Sequence, residues 1–424
     1  MNKKFFSFLK FIPFEIFENS AVRLFNGISK FIINYLLALL CGPIGKGIIA
    51  FAELIFMLLY NISNFSIFKT IPHYLFSDNF KYSKKTLLNA IIILQLFIAF
   101  IFISIFFFLF FKFNNFFNDL PFLLIFLFIF MVPIKIIFET IIFFLQCLKE
   151  IRKVNFLISI RNLFILLIFI IFILFDLKLT IYKIAYIYFF SFIILLFVTF
   201  IFFKKTIIIE NSSKINFPDK KLYQLLFKSG AAIHPGYIFA FLFFYVDQFM
   251  LKYFCNLSEL GFYSFSVNIF TGLLIFAEAV QFVLVSNLSV AVNDKKYLLK
   301  KFIEALILSF FVSLISSIII YFIAPIFFRL FLPQFFYSLN SLFFLLPGLI
   351  FFSMSLQCSS YLITNGFFLS LSFINFFVFI SNIFLNYLFI PKFLSAGAAI
   401  ASSFSYFLLF VFYIFVIIKS NIRF

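Results

Sequence analysis

NSAVRLFNGISKFIINYLLALLCGPIGKGIIAF, residues Asn19–Phe51, is the stretch whose reading decides the fold. Most of it is apolar enough to lie in lipid, yet it carries Arg23, Asn26, Gly27, Lys30 and Asn34. At about 100° per residue on a helix these five fall within about 60° of one line. A helix starting near Ser20 and rising ~1.5 Å per residue puts Lys30 ~15 Å deep, close to the middle of a bilayer. A lysine facing lipid there costs about 2.5–3.5 kcal/mol, so the stripe must look into protein or a wet cavity. We read it as the lining of a cavity that accepts an anion.

The rest of the chain extends that picture. Its 424 residues are 65% hydrophobic and only 11% charged, and the mean hydropathy is +1.20. Such a composition belongs in a membrane and excludes a soluble domain. The 85 Phe against no Trp reads as an AT-rich codon effect at lipid-facing positions, with no aromatic ligand site implied. The formal charge of +18 sits in short loops between apolar runs, a membrane-topology pattern with no nucleic-acid partner. Cys41, Cys147, Cys255 and Cys358 have no metal or disulfide spacing. The first 18 residues carry Lys3 and Lys4, but Lys10, Glu15 and Glu18 interrupt them and no small-residue cleavage site follows. We expect an interfacial amphipathic segment there, ahead of the first span.

Twelve apolar runs are long enough to span. They include Ser20–Leu40, Ile48–Phe68, Ser229–Leu251, Phe302–Ala324, Leu369–Ile390 and Ala396–Ile418. With the N-terminus inside, 22 of the 33 Lys and Arg fall on the cytoplasmic side, seven fall opposite and four lie within spans. That bias predicts an even span count and cytoplasmic termini. The longest polar connection, about Lys204 to Lys228, splits the chain into an N-terminal lobe (1–210), a cytoplasmic linker (211–228) and a C-terminal lobe (229–424). An internal repeat agrees: Cys41, Gly47 and Phe51 after the first span match Cys255, Gly261 and Phe265 after the seventh, offset by 214 residues. The expected fold is an all-α polytopic membrane protein with about twelve transmembrane helices, in two six-helix lobes related by that repeat around a central cavity.

Three segments carry a family likeness. GPIGKG (Gly42–Gly47) is similar to a Leu-Gly-Pro-x-x-x-Gly turn. VDQFMLKYFCNLSELGFYSFSVNI (Val246–Ile269) follows an Asp-x-x-x-Leu…Gly-x-Tyr-x-x-Ala pattern, with Ser266 where alanine is usual. NIFLNYLFIPKFLSAGAAIASSFSY (Asn382–Tyr406) follows Asn-x-x-x-Asn-x-x-x-Ile-Pro-x-x-x-x-x-Gly-Ala-Ala-Ile-Ala. The sequence thereby resembles the multidrug/oligosaccharidyl-lipid/polysaccharide exporter superfamily, and within it the polysaccharide or O-antigen (Wzx-type) flippases. The resemblance implies transfer of an undecaprenyl-pyrophosphate-linked glycan from the cytoplasmic to the outer leaflet of a bacterial inner membrane, by alternate opening of two lobes. It also implies membrane lipids, a polysaccharide polymerase and chain-length machinery as partners.

Fixed cations would stabilise the pyrophosphate, and amides would replace sugar hydration. Arg23 and Lys30 fill the first role, with Arg161 and Lys135 as further candidates. Lys135 stands four residues before Glu139, which also suits a structural pair. Arg161 lies near a helix start, where it could snorkel to headgroups instead. Asn26, Asn34, Asn375, Asn382 and Asn386 are candidates to line the cavity or touch glycan; interhelical hydrogen bonding is the competing role. Flippases of this kind are thought to couple to an H⁺ or Na⁺ gradient or to the membrane potential. The membrane carboxylates Glu278 and Glu53 are candidates for that coupling, and Asp247 reads as structural. No catalytic residue, metal or other cofactor is expected. Rival functions are a drug/cation antiporter of the same superfamily, which should carry acids in its cavity, and a membrane glycan polymerase or ligase. The latter needs large outer loops, and the longest here is near Pro325–Asn340.

Overall fold

The computed structural model describes residues 14–75, 82–148, 150–175, 179–208, 218–290 and 295–422. All regular structure among them is helical, and ten helices are long and apolar enough to cross a membrane. Two of these are double spans. The helix Phe14–Ser63 breaks at Gly42 (φ 65°, ψ −178°), and Phe368–Ile422 breaks at Leu394 (φ 54°, ψ −131°).

Side-chain bonds prove the reversals. Asn382 bonds Ser405 and Asn375 bonds Tyr413, pairs that a straight helix would hold about 35 and 57 Å apart. The midpoints of the two pairs are 393.5 and 394, so the chain folds back on Leu394. Likewise Lys46 bonds Asn34 at 2.6 Å across the Gly42 break. Twelve spans result: α1 (14–41), α2 (43–63), α3 (Lys84–Lys112), α4 (Phe122–Cys147), α5 (Ile151–Leu174), α6 (Ile181–Ile208), α7 (Lys220–Phe254), α8 (Leu257–Val290), α9 (Lys295–Phe331), α10 (Ser338–Thr364), α11 (368–393) and α12 (395–422). This is a multi-pass membrane protein, and helices suit it because each satisfies its own backbone in lipid.

Local chemistry sets the ends. Ser83 accepts the Thr86 N–H at 3.1 Å to start α3, Asp219 accepts that of Leu222 at 2.9 Å for α7, and Asn256 accepts that of Glu259 at 3.0 Å for α8. Several helices outrun the apolar runs. α9 covers residues 295–331 where hydropathy marked 302–324, because lysines and glutamate continue a helix well past the hydrocarbon. The loop expected near Pro325–Asn340 shrinks accordingly: Pro325 is inside α9, and a short 3₁₀ turn, Pro333–Phe335, precedes α10.

The chain divides into two compact units, Met1–Ile33 with Ile55–His234, and Asn34–Leu54 with Pro235–Phe424. In the first, Ile67, Phe68, Ile71 and Tyr74 after α2 pack with Leu87 and Ile91 of α3, Phe144 of α4 and Leu226 of α7. Phe56 of α2 meets Phe128 of α4 and Phe192 of α6, at 6.3 and 5.6 Å between ring centres. In the second, Ser266 of α8 donates to the Ser338 carbonyl at 2.8 Å. Tyr406 of α12 stacks on Phe270 of α8 at 5.5 Å and meets Phe352 of α10 at 4.8 Å.

The repeat detected in the sequence is a physical contact inside the second unit. A Cβ on Gly47 would lie 1.8 Å from the Leu257 carbonyl oxygen, and one on Gly261 would lie 2.0 Å from that of Pro43. Leu257 and Pro43 each stand four residues before a glycine, so the two contacts interchange under the 214-residue offset. The hairpin around Gly42 and the turn around Asn256 therefore meet across a local two-fold, backbone on backbone. Only glycine permits that approach.

Candidate functional site

In the first unit, the polar side chains of α1 and α5 meet. Asn26 is buried, donates to Ser159 at 3.2 Å and accepts from Asn162 at 3.0 Å, so both ends of its amide are engaged with α5. Lys30, one turn further on, is exposed. It stands twelve residues before the Gly42 break, about 18 Å of helix, which keeps it near the middle of the span. The Arg23 side chain lies outside the described residues.

Two further cations of this unit lie on aromatic faces. The Lys135 ammonium sits 4.4 Å from the Tyr60 ring centre, 5.3 Å from that of Phe56 and 3.2 Å from the Met57 sulfur. The Arg161 guanidinium lies 4.1 Å from the Phe192 ring centre and 5.9 Å from that of Tyr188. Because α5 begins at Ile151, Arg161 stands ten residues, about 15 Å, inside the helix. It does not sit near the helix start that hydropathy suggested. Aromatic quadrupoles contribute to stabilising both charges.

The second unit holds a carboxylate cluster. Asp247 of α7 is 3% exposed. It accepts hydrogen bonds from Tyr263 of α8, from Ser402 of α12 at 2.9 Å and from the Gln248 backbone at 2.7 Å. One turn along α12, Ser405 accepts from Asn382 at 2.9 Å, and Asn382 in turn accepts from Asn386 at 2.8 Å. Asn386 is fully buried, and its carbonyl oxygen has no hydrogen-bond partner among the described residues. Asn375 accepts from Tyr413 at 2.7 Å. Glu278 is exposed on α8, and Glu53 is half-buried on α2.

Two residues escaped the sequence reading. Lys46, one of the seven basic residues that the charge count set opposite the cytoplasm, is 1% exposed in the first turn of α2. Asp247, read there as structural, gathers hydroxyls from two helices. The repeat offers the signal that could have found both. Lys46 corresponds to Leu260 and Asp247 to Ile33, which are 0% and 5% exposed, so both positions are interior. The same offset sets Lys30 against Phe244 and Tyr263 against Ile49. The cation of α1 and the carboxylate cluster are therefore each confined to one repeat, and the shared fold requires neither.

No family model matches the sequence, and no curated protein does. Solved structures do. The chain superposes on the lipid II flippase MurJ in an inward closed conformation with a TM-score of 0.73, at 16% identity over 95% of this chain and 87% of that one. An outward-facing multidrug resistance MATE transporter of the MOP superfamily gives 0.62, at 15% identity over 96% of each chain. A MOP superfamily transporter from Pyrococcus furiosus, described as having a binding pocket of reversed polarity, gives 0.58 at 14% identity over 96% and 95%. The twelve-span chain traced above thus shares the fold of these solved structures.

Proposed function

We propose that this chain is a flippase that carries an undecaprenyl-pyrophosphate-linked oligosaccharide, the building unit of a surface polysaccharide such as O-antigen, across a bacterial inner membrane with both termini cytoplasmic. The observation that carries this reading is the exposure of the residue Lys30 at mid-span. A cation that faces lipid at that depth costs about 2.5–3.5 kcal/mol, so it belongs on a wet or protein-lined face, and the fold's other repeat has phenylalanine there. Arg23 shares its helical face, and Arg161 and Lys135 add positive charge in the same unit. The pyrophosphate would travel on these groups while the polyprenyl tail stays in lipid. The higher TM-score to a lipid flippase than to drug transporters supports the same class, as does the absence of large loops of the kind a polymerase or ligase needs among the described residues.

Asp247 replaces Glu278 and Glu53 as our candidate seat of ion coupling. It is buried, it accepts from the Tyr263 and Ser402 hydroxyls, which can reorient when a proton or cation arrives, and the same unit holds the Asn386 carbonyl oxygen that makes no hydrogen bond among the described residues. Intramembrane carboxylates of this kind mark ion pathways.

Deleting the gene tests the class: cytoplasm-facing lipid-linked glycan should accumulate with no mature surface polymer. Accumulation of a drug or dye would instead mark the antiporter. Lys30→Ala, with the protein still in the membrane, should export less than a tenth of the wild-type glycan; unchanged export would remove Lys30 from the site.

A further inference from the structure

Lys46 has no part in that reading, yet it is the most deeply buried cation among the described residues. Its ammonium carries three donors. Among the described residues its only hydrogen bond is to the Asn34 side-chain oxygen, at 2.6 Å, which also accepts from Asn268 of α8 at 3.0 Å. Among the described residues no carboxylate lies within salt-bridge distance of it. The hairpin that bears Lys46 is otherwise well held. The reciprocal glycine contact grips it, and Gln334 donates to the Ala38 and Leu39 carbonyls at 3.1 and 3.3 Å. A docked hairpin thus buries one charge with a single neutral acceptor and two donors unmet. Burial of that kind opposes docking, and water would relieve it at once if the hairpin lifted.

We propose that Lys46 is a positioning residue for transport, a built-in spring. Its underpaired ammonium keeps the docked hairpin metastable, so that Asn34–Leu54 can leave α8 and return during each cycle. Asn34 is the catch on that spring, because its oxygen is what the ammonium has in place of water. The two residues therefore act with opposite sign, which a merely structural pair would not do. Removing the ammonium removes the reason to undock, whereas removing the oxygen leaves a bare buried charge. The proposal rests on the reading of the chain as a transporter, but its test uses no substrate and so stands or falls apart from the glycan assignment.

Native cysteines report on it. Cys41 is half-buried at the hairpin tip and Cys358 is fully buried in α10. With Cys147 and Cys255 replaced by serine, labelling by a membrane-impermeant maleimide is followed in intact cells and in inside-out vesicles. Cys41 should react tenfold or more faster in Asn34→Leu, since a hydrogen bond to a charged group is lost. It should react more slowly than wild type in Lys46→Met and in Asn34→Asp, which gives the ammonium a full counter-charge. The double variant Lys46→Met/Asn34→Leu should return to the wild-type rate or below. Cys358 should be unchanged in every variant that folds. Faster Cys41 labelling in Lys46→Met would make the ammonium a clamp and overturn the proposal, and so would equal rates throughout. Parallel acceleration of Cys358 would show general loosening and overturn it as well; Asn34→Asp keeps the question open to measurement if Asn34→Leu does not fold.

Discussion

The reciprocal glycine contact supports the sharpest quantitative prediction. In Gly47→Ala the new methyl would stand 1.8 Å from the Leu257 oxygen and 2.8 Å from its carbonyl carbon. An ordinary carbon–oxygen contact is about 1.5 Å longer, and the obstacle is backbone, so no rotamer change relieves it. Leu257 is the first residue of α8, and Asn256 caps that turn through the Glu259 N–H and Ser258 hydroxyl. Either α8 shifts with its cap, or the hairpin lifts off. Overpacking of a well-ordered interior costs about 1–3 kcal/mol, and a rigid carbonyl places this case at the upper end. At 1.4 kcal/mol per tenfold, about 3 kcal/mol reduces the docked population relative to the undocked one by roughly a hundredfold. Gly261→Ala, facing the Pro43 oxygen at 2.0 Å, should match it. Because both substitutions break one contact, the double variant should cost little more than either alone. Amide hydrogen exchange in nanodiscs reads this directly, as protection of residues 43–50 and 257–264. Gly272→Ala is the control, since a Cβ there meets nothing within 4 Å and alanine favours the helix. Wild-type protection in Gly47→Ala, or behaviour like that of Gly272→Ala, would refute the contact.

Three more predictions address other links. Asp247→Asn keeps the shape of the side chain while removing the charge that Tyr263 and Ser402 serve; glycan export should fall tenfold or more and lose its response to ionophores, whereas Glu278→Gln should leave both intact. Gly397→Ala would put a methyl 2.3 Å from the Phe389 oxygen across the α11–α12 turn, so its melting temperature in detergent should drop by several degrees; an unchanged melt would mean the turn has slack. Lys69, on the turn after α2, is pushed down to about 8 by burial, against the pull of the Glu139 carboxylate. A base whose folded pKa is depressed makes the unfolded chain bind the extra proton between about pH 8 and its ordinary value, so wild-type stability should rise with pH across that window. Lys69→Met should flatten the rise and melt higher than wild type at pH 7, and parallel curves for the two proteins would exclude the effect.

Hydropathy made all twelve spans legible, because in lipid the length of an apolar run is itself the structural constraint. It located the α11–α12 reversal between Ile390 and Ala396, and the structure turns at Leu394. What it misjudged was extent. Lys295 to Lys301 read as loop because they are charged, yet they are good helix formers and α9 begins with them. Leu394 itself carried no turn signal, being neither glycine nor asparagine. Its left-handed backbone costs about 1–3 kcal/mol, and the cost is borne because the Glu259 carboxylate accepts the next N–H at 3.1 Å and Gly397 lets the Phe389 carbonyl approach. Those partners lie 3 to 135 residues from Leu394, beyond the reach of a local pattern.

The site was half legible for a related reason. A helical face computed from 100° steps says which residues share a side of one helix, and on that basis it put Asn26, Lys30 and Asn34 in one stripe. It does not say what each meets. Asn26 turns to α5, Asn34 to Lys46 and α8, and Lys30 stays exposed, so one stripe serves three ends. Comparing the repeats separates those ends better than periodicity does. A buried position that is polar in one half and apolar in the other is not there for the shared fold. Lys46 against Leu260, Asp247 against Ile33 and Lys252 against Ala38 meet that criterion, and the exposed mid-span Lys30 differs in the same way from Phe244. Lys30, Lys46 and Asp247 fall in three different settings: an exposed helix face, a docked hairpin and a hydroxyl-lined carboxylate. On the function proposed above, those three settings supply what a transport cycle requires, namely an anion carrier, a barrier that can open and a seat for the driving ion, each placed in one half of the repeat alone.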